Sequence, residues 1–279
     1  MTAVGIPFDR RVGAAQPPRR SRYRPTRPIL FVVPAFNEVD NLPRLFADLE
    51  AHCRPLPVGS RVIIVDDGSE DGTDLLVENY GGPLPVELVR LAENQGPGAA
   101  FRAGFNAALE GSKPSSMIVT LEADTTSDLD QLPAMLELAA GGADLVLASV
   151  HGGGTMVNVS LMRRLLSRGA GAFVRLALGL DARTVSSFYR VYRASLLRDA
   201  QARYGDKLIE EPGFACKAEL LAKLSSLGAR IEEVPVSVDA SRRVGKSKMR
   251  IGRTIVGYFR VMGSLGPSAC RFRRTLDRR

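Results

Sequence analysis

Two carboxylates one residue apart, Glu122 and Asp124, close the apolar run 116–121 in "SMIVTLEADTTSDLD". If that run is a strand, residues i and i+2 leave the same face, and the two acids stand side by side. Adjacent anions repel and raise each other's pKa, which a cation between them relieves. Mg²⁺ and Mn²⁺ favour oxygen ligands and are often held by one or two carboxylates plus substrate phosphates. The E-x-D is therefore a candidate site for Mg²⁺ or Mn²⁺ gripping a diphosphate. Taken alone it also suits the acidic start of a helix, which the helix dipole favours.

Other polar clusters end other apolar runs. "ILFVVP" (29–34) leads through Pro34 into Phe36 and Glu38, and "RVIIV" (61–65) into Asp66 and Asp67 of "DDGSEDG". "VELVR" (86–90) leads towards "ENQGPG", which holds Gly96. Carboxylates at such places can accept hydrogen bonds from a nucleobase edge or ribose hydroxyls.

The elements that must position these residues alternate at short intervals. Leu42, Leu45, Phe46 and Leu49 repeat at helical spacing, a short helix follows the second run, and 98–110 is an Ala-rich helix. A helix is expected from near Asp128, then a strand at 144–149. This order predicts an α/β fold with a mostly parallel twisted sheet and helices on both faces. Ligands of such sheets bind outside the carboxyl ends of the strands, where the strand order switches. The second half predicts a Gly-rich loop, "HGGGTMVN" (151–158), and a long basic helix carrying Arg163, Arg164 and Ser167. Strands are expected at 186–192 and 230–238, a helix from Pro212 to Leu227, and no core pattern in "DASRRVGKSKMR".

Charge is unevenly spread along the 279 residues. Residues 1–28 hold seven Arg against one Asp, and 242–279 hold twelve Lys and Arg against one Asp. The total is only +8, so the body between them is acidic. Basic ends suit an anionic partner: nucleic acid, a phosphorylated ligand or a membrane surface. The basic segments lack interleaved aromatics and the body is acidic, so a nucleic-acid partner is not expected. Cys53, Cys216 and Cys270 have no C-x-x-C spacing and read as reduced thiols. No leader-type apolar segment and no run of about 18 apolar residues stands out, so no spanning helix is expected. No strand is followed by G-x-G-x-x-G or G-x-x-x-x-G-K-[ST], which excludes the usual dinucleotide and P-loop cradles. A nucleotidyltransferase would need a glycine-rich basic loop after the first strand, where "PAFNEVDN" stands.

"VVPAFNE", "VDDGSEDGT", "NQGPGAAFRAGFNAA" and "EAD", then "RRLLSRGA", "SSFYRVYR", "EPGFACKAELL", "EVPVSV" and "RRVGKSKM", resemble in order and spacing the family 2 glycosyltransferases of GT-A fold. The likeness spans about residues 29–250 and is strongest to the polyprenol-phosphate type, the dolichol-phosphate mannose synthases. The resemblance implies a nucleotide-sugar donor held by Pro34, Phe36, Glu38 and Asp66, with Asp67, Gly96, Glu122 and Asp124 beside it. It implies a metal on Glu122 and Asp124, with Asp124, Arg163, Arg242 and Lys248 in the catalytic machinery. Arg163, Ser167 and Arg242 would take the acceptor phosphate. The chain departs from the pattern in having Glu122 for the first Asp, Thr126 where relatives carry Gln or His, and Ser149-Val150-His151 where they carry Ser-Arg.

The expected reaction is inverting transfer to a polyprenyl phosphate. A phosphate monoester is largely dianionic near neutral pH, its second pKa being about 6, and needs no general base. A hydroxyl acceptor, the alternative, would need one, and Glu211 and His151 are the candidates. Three parts are expected: a disordered basic tail (1–28), the catalytic domain (29–249) and a basic amphipathic segment (250–279). In the last, Ile251, Ile255, Tyr258, Phe259 and Met262 share a helical face beside Arg250, Arg253 and Arg260. Such a helix can lie in a membrane interface without crossing it. The expected location is therefore peripheral, at the cytoplasmic face of a membrane.

Overall fold

The structure, a computed structural model, describes residues 24–53, 56–150, 153–158, 161–180 and 182–265, with side chains described except at 161–168 and 170. The expected disordered tail lies almost wholly outside the described residues, as do His151, Cys270 and the last fourteen residues.

Seven strands make one sheet in the order β3-β2-β1-β4-β7-β5-β8. They are β1 (Ile29–Ala35), β2 (Arg61–Asp66), β3 (Val86–Arg90), β4 (Met117–Thr120), β5 (Leu145–Ser149), β7 (Arg190–Arg193) and β8 (Ile231–Pro235). All pairs are parallel except those that β7 makes with β4 and β5. The core strands are buried on both faces, which is why they read as unbroken apolar runs. Alternate residues of β1 feed two separate cores. Leu30 and Val32 pack with α3 (Pro97–Leu109), α6 (Ala194–Tyr204) and α7 (Cys216–Ser226). Ile29, Phe31 and Val33 pack with α1 (Leu42–Cys53), α2 (Thr73–Glu78) and α4 (Leu132–Ala140).

A second sheet pairs β6 (Thr155–Val157) with β9 (Ser237–Asp239). The single strand expected over 230–238 is thus two strands in two sheets. Pro235 has no N–H to give, so a ladder cannot run on through it. Val236 donates to Ser149 O at 2.9 Å, and the chain then turns to β6. The helix expected from Pro212 begins only at Cys216. Buried Glu219 instead accepts the N–H groups of Glu210 and Glu211 at 2.9–3.1 Å, which turns residues 210–213. The helix expected near Asp128 starts as a single 3₁₀ turn, Leu129–Gln131, with Asp128 accepting from Asp130 N. The strand expected over 186–192 is confined to β7.

Two further helices lie on the α3 face: α5 (Leu161–Leu178) and α8 (Ile251–Leu265), which pack against each other. Val174 and Leu178 of α5, and Thr254, Gly257 and Val261 of α8, are buried.

Candidate active site

The chain places β2 and β3 on one side of β1 and β4 on the other. The strand order therefore switches between β1 and β4, and a crevice opens at their carboxyl ends. Pro34–Glu38 leave β1 there, and Glu122–Thr126 leave β4.

Glu122 and Asp124 lie just past the strand and not within it, so strand alternation does not set their directions. Leu121 makes the last ladder bond, to Val32 O at 3.2 Å, and the acids lie in the following turn. Thr125 holds that turn with a left-handed φ of 59°. Thr126 ties the acids together. Its N–H and hydroxyl both reach Asp124 Oδ1, at 3.1 and 2.7 Å, and its hydroxyl lies 3.5 Å from Glu122 Oε2. Burial and then the Asp124 charge push the Glu122 carboxyl up to about 7. The charge of Lys217, on α7, opposes this. Its ammonium is buried, 4.2 Å from the Phe188 ring centre and 5.7 Å from that of Phe214, and burial pushes it down to about 8.

A basic strap, residues 240–249, crosses the rim. Arg243 grips Asp124 Oδ2 through Nη2 and through Nε at 2.7 Å. Arg242 pairs with Asp48 on α1, and its carbonyl accepts from Thr125 Oγ1 at 3.3 Å. Val244 and Asn41 exchange two hydrogen bonds, at 2.9 and 3.1 Å. Lys248 reaches Glu38 Oε1 and Asn37 O, both at 2.6 Å.

The two aspartates after β2 have different partners. Asp67 accepts from Gln95 N and Gly96 N, both at 2.8 Å, and so pins the loop ahead of α3. Asp66 accepts from Ser69 N through Oδ1 at 3.1 Å. Gly96 has φ 89°, and a Cβ there would strike Pro212 O.

The crevice thus gathers Pro34, Phe36, Glu38, Asp66, Asp67, Gly96, Glu122, Asp124, Arg242 and Lys248. Arg163 and Ser167 are on α5, but their side chains lie outside the described residues. Glu211 is committed elsewhere: buried, it accepts from Gly213 N at 3.2 Å, lies 3.7 Å from Arg260 and packs on Gly257. Sequence reading missed Arg243, Lys217 and Asn41. The signal for Lys217 was a cation within a helix whose residues 216–224 are all buried. Arg243 had only its place beside Arg242. Among the described residues no cluster of three or more His, Cys, Asp or Glu is arranged to hold a metal.

Solved structures with this architecture are sugar-transferring enzymes of GT-A fold. Glucosyl-3-phosphoglycerate synthase of Mycobacterium tuberculosis, in complex with Mn²⁺, UDP and glucosyl-3-phosphoglycerate, matches with a TM-score of 0.59 at 20% identity, over 88% of this chain and 80% of that one. Its complex with Mg²⁺ and UDP matches at 0.58. The model of glycosyl transferase family 2 matches residues 30–200, and the chain belongs to that family. It is 33% identical to undecaprenyl-phosphate mannosyltransferase of Micrococcus luteus over 83% of this chain and 93% of that protein. It is 29% identical to polyprenol monophosphomannose synthase of Mycolicibacterium smegmatis, over 92% and 94%. The protein is a family 2 glycosyltransferase close to the polyprenol-phosphate mannose synthases.

Proposed function

We propose that this enzyme moves a hexose, mannose being the first to test, from a nucleotide sugar to a polyprenyl phosphate, with inversion and with a divalent metal. The observation that carries this reading is an acidic pair at the switch point beneath a basic strap. A nucleoside diphosphate needs such a bed, because its charge grows as it leaves.

The residues fit a metal. A cation, the Arg243 guanidinium, already lies against Asp124 Oδ2, and Thr126 aligns Glu122 beside it. Glu122 and Asp124 would hold the metal, and the donor diphosphate would complete a coordination shell that the protein alone does not. Bound there, the metal would offset the growing charge of the leaving diphosphate. Pro34, Phe36, Glu38 and Asp66 would hold base and ribose, while Asp67 keeps Gly96 in place for the phosphates. Arg163, Ser167 and Arg242 would orient the acceptor phosphate, and Lys248 would close over the diphosphate. A dianionic acceptor attacks without a base, which agrees with Glu211 being turned to α8.

The acceptor places the enzyme at a membrane, peripheral and at the cytoplasmic face. Among the described residues no helix is long and apolar enough to cross one. Ile251, Ile255, Val256 and Phe259 of α8 are exposed, whereas Tyr258 and Met262 turn partly into the core. Phe173 and Leu176 of α5 extend the exposed patch, the Phe173 and Phe259 rings being 6.1 Å apart. Arg250 and Arg253 beside it suit anionic headgroups.

The test is incubation of full-length protein with labelled nucleotide sugars and a short polyprenyl phosphate. A glycolipid of inverted anomeric configuration, formed with Mg²⁺ or Mn²⁺ and lost in EDTA, is expected. Equal transfer to unphosphorylated polyprenol would overturn the acceptor, and full activity in EDTA the metal.

A further inference from the structure

The acidic pair has two protein cations against it, and they differ in one respect. Lys217 belongs to a buried helix and cannot leave without unfolding it. Arg243 belongs to the strap, where no residue from 240 to 250 is buried and Val244 is 52% exposed. Polar contacts tie the strap to the rim, to Asn37, Glu38, Asn41, Asp48, Asp124 and Thr125. Gly245, at φ 85°, bends it.

Those contacts fill Asp124 completely. Thr126 takes Oδ1, Arg243 takes Oδ2, and the paired side chains are only 11% and 21% exposed. An incoming cation finds both oxygens of Asp124 already hydrogen-bonded.

We propose that Arg243 is the resident counter-ion of the Glu122–Asp124 pair in the ligand-free enzyme, and that a divalent cation binds by exchanging with it. This rests on the metal reading above. Arg243 keeps the acidic pair partly neutral while the site waits. Its departure unlatches the strap at Asp124, and the diphosphate then offers the displaced guanidinium a new anion. A state that binds only after releasing an internal competitor has its affinity reduced by the fraction in which the competitor is seated.

The test is Mn²⁺ binding to full-length protein without nucleotide, by calorimetry or by the loss of free-ion paramagnetic signal, at constant ionic strength. Arg243→Gln is expected to bind Mn²⁺ about tenfold more tightly than wild type, as removal of a charge-assisted pair of this burial implies. Lys246→Gln removes the same charge from an exposed place on the same strap and is expected to change affinity less than about twofold. In wild type, exchange of the Val244 amide, bonded to Asn41 Oδ1 at 2.9 Å, should quicken when Mn²⁺ is added. Unchanged or weaker affinity in Arg243→Gln, or an equal gain in Lys246→Gln, overturns the proposal and leaves the metal reading standing. Mn²⁺ uptake by neither wild type nor variants, even with UDP, overturns the metal reading and this proposal together.

Discussion

Asp124 is the residue on which the proposed site turns, because both of its oxygens already accept hydrogen bonds, from Thr126 and Arg243. Asp124→Asn leaves the shape but removes the charge. Transfer should fall by roughly a hundredfold or more, the scale of losing a preorganised charge at a leaving group, while the fold survives. A single-turnover assay at saturating donor checks this. Lys217 makes a different prediction. Its folded pKa is about 8 against an ordinary 10.5. Between those values the unfolded chain binds the extra proton, so wild-type stability rises with pH there. Below pH 8 the buried charge exacts its full cost. Lys217→Met should therefore be the more stable protein at pH 7, with its advantage shrinking by about 2–3 kcal/mol between pH 8 and 10.5, read by urea unfolding at each pH. The acidic pair was legible in the sequence, because E-x-D after an apolar run is local information. Its counter-ions were not. Arg243 and Lys217 lie 119 and 93 residues from Asp124 in the chain, and only the folded topology joins them.

Among the elements, the contact between the start of α3 and the 211–213 turn positions the loop that Asp67 pins. Gly98 N donates to Pro212 O at 2.9 Å, and a Cβ at Gly98 would meet the backbone carbonyl of Glu211, which cannot swing aside. Gly98→Ala should cost about 1–3 kcal/mol, as overpacking does, and raise KM for the nucleotide sugar as the loop shifts on Asp67. Gly81→Ala, where nothing lies within 4 Å, should change stability by under about 0.5 kcal/mol. Thermal unfolding and donor titration separate the two. The alternation of strands and helices was legible at this scale, since buried parallel strands write unbroken apolar runs. The antiparallel course of β7 was not, because "FYRVY" reads alike in either direction. Nor was β6: a three-residue strand, half-exposed, has no apolar run to announce it. The break at Pro235 was visible in principle, as a missing N–H in mid-strand.

For the whole molecule, the sheet sets the crevice at one rim, and α5 with α8 sets an apolar, basic-edged patch beside the core it shares with α3 and α7. Ile255 and Phe259 are exposed, at 44% and 58%, so replacing both by Ser should leave thermal stability nearly unchanged. The partition constant onto anionic vesicles should fall roughly a hundredfold or more, the scale of two lost apolar side chains at about 1.5 kcal/mol or more each. Activity on a vesicle-embedded acceptor should fall with it, and activity on a short soluble acceptor should persist. Salt should weaken the wild-type attachment, because part of it is electrostatic. Vesicle binding unaffected by the double replacement would place the membrane contact elsewhere.

Gly96, Gly98 and Gly257 share a neighbour: each would drive a Cβ into Pro212 or Glu211. The consequence concerns mutability. Two stretches far apart in the chain, the start of α3 and the middle of α8, close on the same dipeptide: at Gly96 and Gly98 the obstacle is a backbone carbonyl, which cannot swing aside, and at Gly257 it is the Glu211 carboxylate with the Ala215 Cβ beside it. Random mutagenesis selected for folding alone should leave these glycines unchanged while the exposed side chains of the strap drift. The exposed strap positions Val244 and Lys246 leave an engineer more freedom than this seam does.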